Sequence, residues 1–218
     1  MKILLFRIAA CAALVGISKY SSADTFPEWQ VRSFGIGSAP SISGSAQDPD
    51  GDGLSNLMEY ALGTNPLISD TVGVSAPYFS NDKLTLSVSK PKNRSDILYF
   101  FQVAASAGNG WESGAQVEIL PAVDMGDFET ISARSVLPRT SASTRFIRLG
   151  VTLRDTDGNQ NGVFDAWELL TYGHLGESGS GDSDGDGVPD REDAAPFNPA
   201  IGRISVSITT PAAGSNIP

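Results

Sequence analysis

The chain has 218 residues, 15 Lys and Arg against 25 Asp and Glu, a formal net charge of −10, one Cys and one His. That balance excludes the basic stripe a nucleic-acid-binding surface needs. With His174 as the lone imidazole and Cys11 as the lone thiol, it also gives no support for a zinc centre or a nucleophile triad.

The first 23 residues read as an export signal. Lys2 and Arg7 precede the apolar run Ile8–Ile17, and Ser18–Ala23 ends in small residues suited to cleavage after Ala23. The run is shorter than the roughly 20 residues a bilayer span requires. A secreted, extracellular or cell-surface location is therefore expected, with no transmembrane segment in the mature chain. Cleavage also removes Cys11, so an exported protein without disulfides must gain rigidity elsewhere, and metal closure of loops is one route.

Residues 24–71 form the first unit. Phe26, Trp29, Val31 and Phe34 are spaced for a short helix, and Gly35–Ala46 reads as a flexible approach. A loop follows, Asp48-Pro-Asp50-Gly-Asp52-Gly53-Leu54-Ser-Asn56-Leu-Met-Glu59, and then a helix ending near Gly63 and Pro66. Residues 72–154 change to alternating strands: Leu84/Leu86/Val88, Tyr99/Phe101/Val103, Val117/Ile119, Ile131/Ala133 and Ile147/Leu149/Val151/Leu153. Separators are expected at Lys90–Asp96, Ala107–Ala115, Pro121–Asp127 and Pro138–Thr144. Five or six such strands predict a small antiparallel β-sandwich. The expected fold class is thus mainly β, a small sandwich flanked by EF-hand-like calcium loops with short helices.

Residues 155–200 carry two further loops. Asp157-Gly-Asn159-Gln-Asn161-Gly162-Val163-Phe-Asp165-Ala-Trp-Glu168 leads into a helix predicted to turn Val163, Phe164, Trp167 and Leu170 to one side. Asp182-Ser-Asp184-Gly-Asp186-Gly187-Val188-Pro-Asp190-Arg-Glu-Asp193 is followed by Pro196 and Pro199, which leave little room for one. Residues 201–218 form a tail whose Ile204, Val206 and Ile208 alternate like the opening strand of a further β domain.

The three loops fit one template. Oxygen side chains occupy positions 1, 3, 5, 9 and 12, glycine occupies position 6, and the carbonyls of Leu54, Val163 and Val188 serve at position 7. This is how one short segment wraps a hard cation needing 6–8 oxygens. Such a window should arise by chance about once per 10⁶. The candidate ligands are Asp48, Asp50, Asp52, Leu54, Asn56 and Glu59; Asp157, Asn159, Asn161, Val163, Asp165 and Glu168; and Asp182, Asp184, Asp186, Val188, Asp190 and Asp193, for about three Ca²⁺ sites. Losing Lys2, Arg7 and Lys19 would leave the mature chain at −13, of which the loops hold −12. The acidity therefore belongs to the metal sites and does not mark a face for a basic partner. Asp193 is shorter than Glu and has no helix behind it, so the third site is expected to be weaker than the first.

On these residues Asp48–Pro66, with its Leu-Ser-Asn-Leu-Met-Glu-Tyr-Ala-Leu-Gly-Thr-Asn-Pro run, resembles the thrombospondin type 3-like calcium repeats of exported bacterial proteins. Asp182–Pro199 is similar to the same repeats in helix-poor form. Asp155–Gly176 resembles a motif that accompanies them, and Ile97–Gly114 around Trp111 looks like their companion β module. The resemblance implies calcium binding outside the cell and no reaction. Ser55 at position 8 departs from paired EF-hands, which place a branched apolar residue there.

The functional expectation is a calcium-binding structural or adhesion module without catalytic activity. The alternative is a carbohydrate- or protein-binding accessory module, dockerin-like or sugar-binding, of an extracellular enzyme system. Its partner would be an extracellular protein or polysaccharide. Trp111, in a Gly-rich turn, either stacks on a sugar or closes the end of the sheet.

Overall fold

The computed structural model describes residues 25–69, 75–92, 94–108, 110–141 and 146–202. The expected signal segment and the alternating tail strand lie outside them. Among the described residues no helix is long and apolar enough to cross a membrane.

Helix α1 (Phe26–Phe34) starts where Glu28 reaches back to accept the Thr25 N–H at 2.9 Å, as a capping box requires. Its buried residues, Phe26 and Trp29, pack on Tyr60 and Ala61 of α3 (Asn56–Leu62) and on Ile97. Asp96 joins these parts. One of its oxygens accepts the Phe26 N–H and the other the Tyr60 hydroxyl, both at 2.6 Å. The Tyr99 hydroxyl adds a bond to the Ala61 carbonyl at 2.7 Å, fastening α3 to the strands.

The segment between α1 and the first loop differs from the flexible approach expected of it. Pro40–Ser43 forms a short helical turn, α2, and Gln30 Nε2 donates to the Ser43 carbonyl. The free carbonyls of this turn find partners on distant side chains, which holds a Gly/Ser-rich stretch in place.

The six strands among the described residues all pair antiparallel. β1 (Tyr78–Ser80), β2 (Lys83–Pro91), β5 (Phe128–Ser135) and β4 (Val117–Met125) make one sheet in the order β1-β2-β5-β4; β3 (Ile97–Ala104) and β6 (Phe146–Leu153) make a second. Period-two alternation fixes which face is apolar. Leu84, Leu86, Val88 and Ala133 of the first sheet share a core with Phe101, Val103, Ile147 and Leu149 of the second, and Leu62 of α3 joins it.

Two details correct the sequence reading. Pro121 was expected in a separator, yet β4 runs straight through it with a register shift between Leu120 and Val123. Among the described residues β4 pairs only with β5, and a bulge on an edge strand leaves the missing proline N–H without a ladder bond to lose. In helix α4 (Asp165–Thr171), Ala166 and Leu169 are the apolar residues turned inward, against Leu98 and Phe100. Phe164, the N-cap residue, and Leu170, on the side of the helix away from buried Glu168, are exposed.

Candidate metal loops

The three loops are built on one set of backbone bonds. At position 6, Gly53, Gly162 and Gly187 take φ of +94°, +89° and +88°, a region that penalises any side chain. Their N–H groups donate to the position-1 carboxylates of Asp48, Asp157 and Asp182 at 2.9, 2.8 and 2.9 Å. Each position-7 N–H (Leu54, Val163, Val188) donates to the position-5 side chain (Asp52, Asn161, Asp186) at 2.8–2.9 Å. Each position-5 N–H donates to the position-3 side chain (Asp50, Asn159, Asp184) at 3.2 Å. These are successive Asx turns, in which short Asp and Asn side chains stand in for backbone acceptors. Each loop then closes with the position-9 N–H of Asn56, Asp165 or Asp190 donating to the carbonyl just before position 1, on Gln47, Thr156 or Gly181, at 2.7–2.8 Å.

Position 9 is where the structure departs most from a list of ligands. Asp165 accepts the Gly158 N–H at 3.0 Å, and Asp190 accepts the Ser183 N–H at 2.8 Å and the Ser183 hydroxyl at 2.6 Å. In both cases the donor N–H is that of position 2. In the first loop position 2 is Pro49, which has no N–H, and position 9 is the amide Asn56. Its Nδ2 donates to the Ile42 and Gly44 carbonyls at 2.8 Å each, which is what orders the α2 segment. The position-9 side chains of all three loops therefore hold backbone in place. Burial alone would raise the Asp190 carboxyl; hydrogen bonds from Ser183 and from the Tyr172 hydroxyl outweigh it and hold the group below its ordinary range.

The centres of the loops separate into two kinds. Asp48, Asp50 and Asp52, and likewise Asp182, Asp184 and Asp186, bring carboxylate oxygens within 4.8 Å of one another. Asp50 Oδ2 and Asp184 Oδ2 are buried with no hydrogen-bond partner among the described residues, as are Asn56 Oδ1 and Asp193 Oδ2. Loss of water, with the charges of Asp52 and Asp48, pushes the Asp50 carboxyl up. Loss of water also raises Asp184, and the charges of Asp186, Asp193 and Asp182 add to it. Asp193, at position 12, has one oxygen, Oδ1, accepting the Ala195 N–H at 2.8 Å. Glu59, at position 12 of the first loop, is fully buried on α3. Buried carboxylate oxygens gathered without donors are the groups a hard cation satisfies.

In the second loop the same places are taken by amides. Glu168, also fully buried, accepts Asn159 Nδ2 and Asn161 Nδ2 at 3.0 Å each and the Gly176 and Glu177 N–H groups at 2.7 Å each.

Around the loops, Ser55 acts as the N-cap of α3, accepting the Met58 N–H, which accounts for serine at position 8. The third loop ends in a single 3₁₀ turn, Asp190–Glu192. His174 is exposed beyond α4. Trp111 lies beside β3, where Glu112 bridges Val103, and the Arg148 guanidinium covers its ring at 4.0 Å. That contact uses one face of the indole for a cation–π interaction. Signals for these details were faint in sequence; the proline at position 2 paired with an amide at position 9 is the one that could have been read.

Compared with protein-family models and with curated proteins, the chain matches none.

Proposed function

We propose that this is an exported calcium-binding structural or adhesion module, in which EF-hand-like loops of thrombospondin type 3-like character brace a small β-sandwich. The observation that carries the reading is the pair of acid triplets, each with a buried position-3 oxygen lacking a hydrogen-bond partner. Oxygen-only ligands favour Ca²⁺ over softer transition metals. Asp48, Asp50, Asp52 and Glu59 would hold one ion, and Asp182, Asp184, Asp186 and Asp193 another; the ion would supply charge neutralisation and no chemistry. The shared apolar core of the two sheets supports the sandwich.

The braced parts follow from the contacts. The first loop runs into α3, on which α1 packs, and α3 rests on the strands. The third loop is tied to the end of α4 by the Tyr172 hydroxyl on Asp190, and to its own approach segment by the Arg191 N–H on the Gly179 carbonyl at 3.0 Å. Calcium would therefore fix the N-terminal helix and the C-terminal segment relative to the sheets.

The test is a calcium titration by calorimetry with thermal melting in calcium and in chelator. At 100 times Kd each ion contributes about 2.7 kcal/mol, so two ions should raise the melting temperature by on the order of 10 °C. Melting and protease sensitivity that are unchanged by chelator would overturn the proposal.

A further inference from the structure

The second loop carries the template of a calcium site, yet its residues do not fit the ion. The Glu168 carboxylate already has four donors: Asn159 Nδ2 on Oε2, and Asn161 Nδ2, Gly176 N–H and Glu177 N–H on Oε1. Asn161 Nδ2 gives a further bond to the Glu177 carbonyl at 3.0 Å. The other end of each amide fixes its orientation. Asn159 Oδ1 accepts the Asn161 N–H and Asn161 Oδ1 accepts the Val163 N–H. Turning either amide over would set an NH₂ against an N–H and an oxygen against a carboxylate. Where the flanking loops have Asp50 Oδ2 and Asp184 Oδ2, both buried and without a hydrogen-bond partner, this loop has an amide nitrogen. A donor stands where a cation needs a lone pair. Admitting calcium would require rotating two amides, breaking two Asx turns and removing two donors from a buried carboxylate.

We infer that the second loop is a metal-independent lock: two asparagine amides replace the ion and clamp the calcium-loop fold shut on Glu168. Its reach extends to its neighbour. Glu168 holds the Gly176–Glu177 segment that leads to the third loop. Tyr172, packed edge-on against Trp167 and Phe197, donates to Asp190 within that loop. The lock thus presents the third loop on a scaffold that is folded before any metal arrives. This division of labour rests on the reading of the first and third loops as the calcium sites.

Reciprocal exchanges at position 3 and position 5 test it. In chelator, N159D/N161D should lower the melting temperature by several degrees, because two carboxylates then face Glu168; D50N in the first loop should leave it unchanged or raise it. N159D alone should show a smaller loss of the same sign if the double variant is too unstable to purify. In calorimetry the wild type should take up two equivalents of calcium, and N159D/N161D should take up a third and recover its lost melting temperature in calcium. E168Q should lower the chelator melting temperature and leave both wild-type equivalents in place. The lock is overturned if E168Q abolishes one wild-type calcium equivalent, or if N159D/N161D melts in chelator no lower than the wild type. A wild type that takes up no calcium would instead sink the reading of the flanking loops, and the chelator melts of E168Q and N159D/N161D would still decide the lock.

Discussion

The first and second loops share a template, a glycine with positive φ, two Asx turns, a bond from position 6 to the position-1 carboxylate and a fully buried glutamate at position 12, yet their centres have opposite electrostatic characters. In the first, three carboxylates converge and a buried oxygen of Asp50 is left without a donor. In the second, amide donors surround the carboxylate and satisfy it. Asn159 and Asn161 stand where the first loop has Asp50 and Asp52, so one centre gathers carboxylates and the other meets its carboxylate with donors of the chain itself. A calcium-loop backbone is thus a scaffold for concentrating charge at one point, and what is placed at positions 3 and 5 decides how that charge is met.

The strongest test of this contrast is at position 12. Glu59→Gln should abolish one calcium equivalent and most of the calcium-dependent rise in melting temperature at that loop. Asp193→Asn should weaken the third loop less, since a shorter carboxylate with one oxygen already on the Ala195 N–H has less to offer an ion. Calorimetry in which Asp193→Asn is the more damaging change would reverse the ranking of the sites.

Asn56→Asp comes next. The new carboxylate would meet the Ile42 and Gly44 carbonyls in place of two donated hydrogen bonds, at a cost of about 2–3 kcal/mol. If position 9 served the metal, added charge would tighten calcium binding. A backbone staple predicts lower stability in chelator, read by denaturant unfolding, with no gain in affinity.

Tyr172→Phe asks whether the second and third loops act together. It removes one donor from buried Asp190, worth about 1.5–3 kcal/mol for a charged acceptor. Calcium affinity should fall at the third loop and stay unchanged at the first, as resolved by titrating the variant against Glu59→Gln. Equal weakening of both loops would contradict the local coupling.

The smallest effect belongs to a carboxylate satisfied far from any loop. Hydrogen bonds from Arg134 and Lys83 hold Glu118 down to about 2. A depressed acid contributes stability that is fully present above its unfolded value, about 4.3, and is lost as pH falls through about 2. Glu118→Gln should flatten the pH dependence of melting across that window by the same amount with and without calcium. A calcium-dependent difference would mean the sheet and the loops are not electrostatically separate.

Much of the protein was legible in its residues. Each of the five strands predicted from alternation between residues 72 and 154 is present, because period two leaves one face to bury whatever its partner is. Gly63 ends α3 as read, with φ of +78°. The glycines at position 6 and the Asp or Asn at positions 1, 3 and 5 define the loop turns locally, since their bonds reach only two to five residues along the chain. What the sequence could not convey depended on distant partners. Pro121 looked like punctuation until β4 proved to be an edge strand. Gly35–Ala46 looked flexible until Asn56 supplied donors to its carbonyls. The asparagines of the second loop counted as oxygens on paper, and an Asn offers either an oxygen or an NH₂ depending on what faces each end. Local chemistry therefore determined where the loops, strands and helix ends fall. Only the folded structure decided which buried carboxylates are met by the protein itself, because the direction in which an amide or backbone N–H points is set by how the segments on either side pack together.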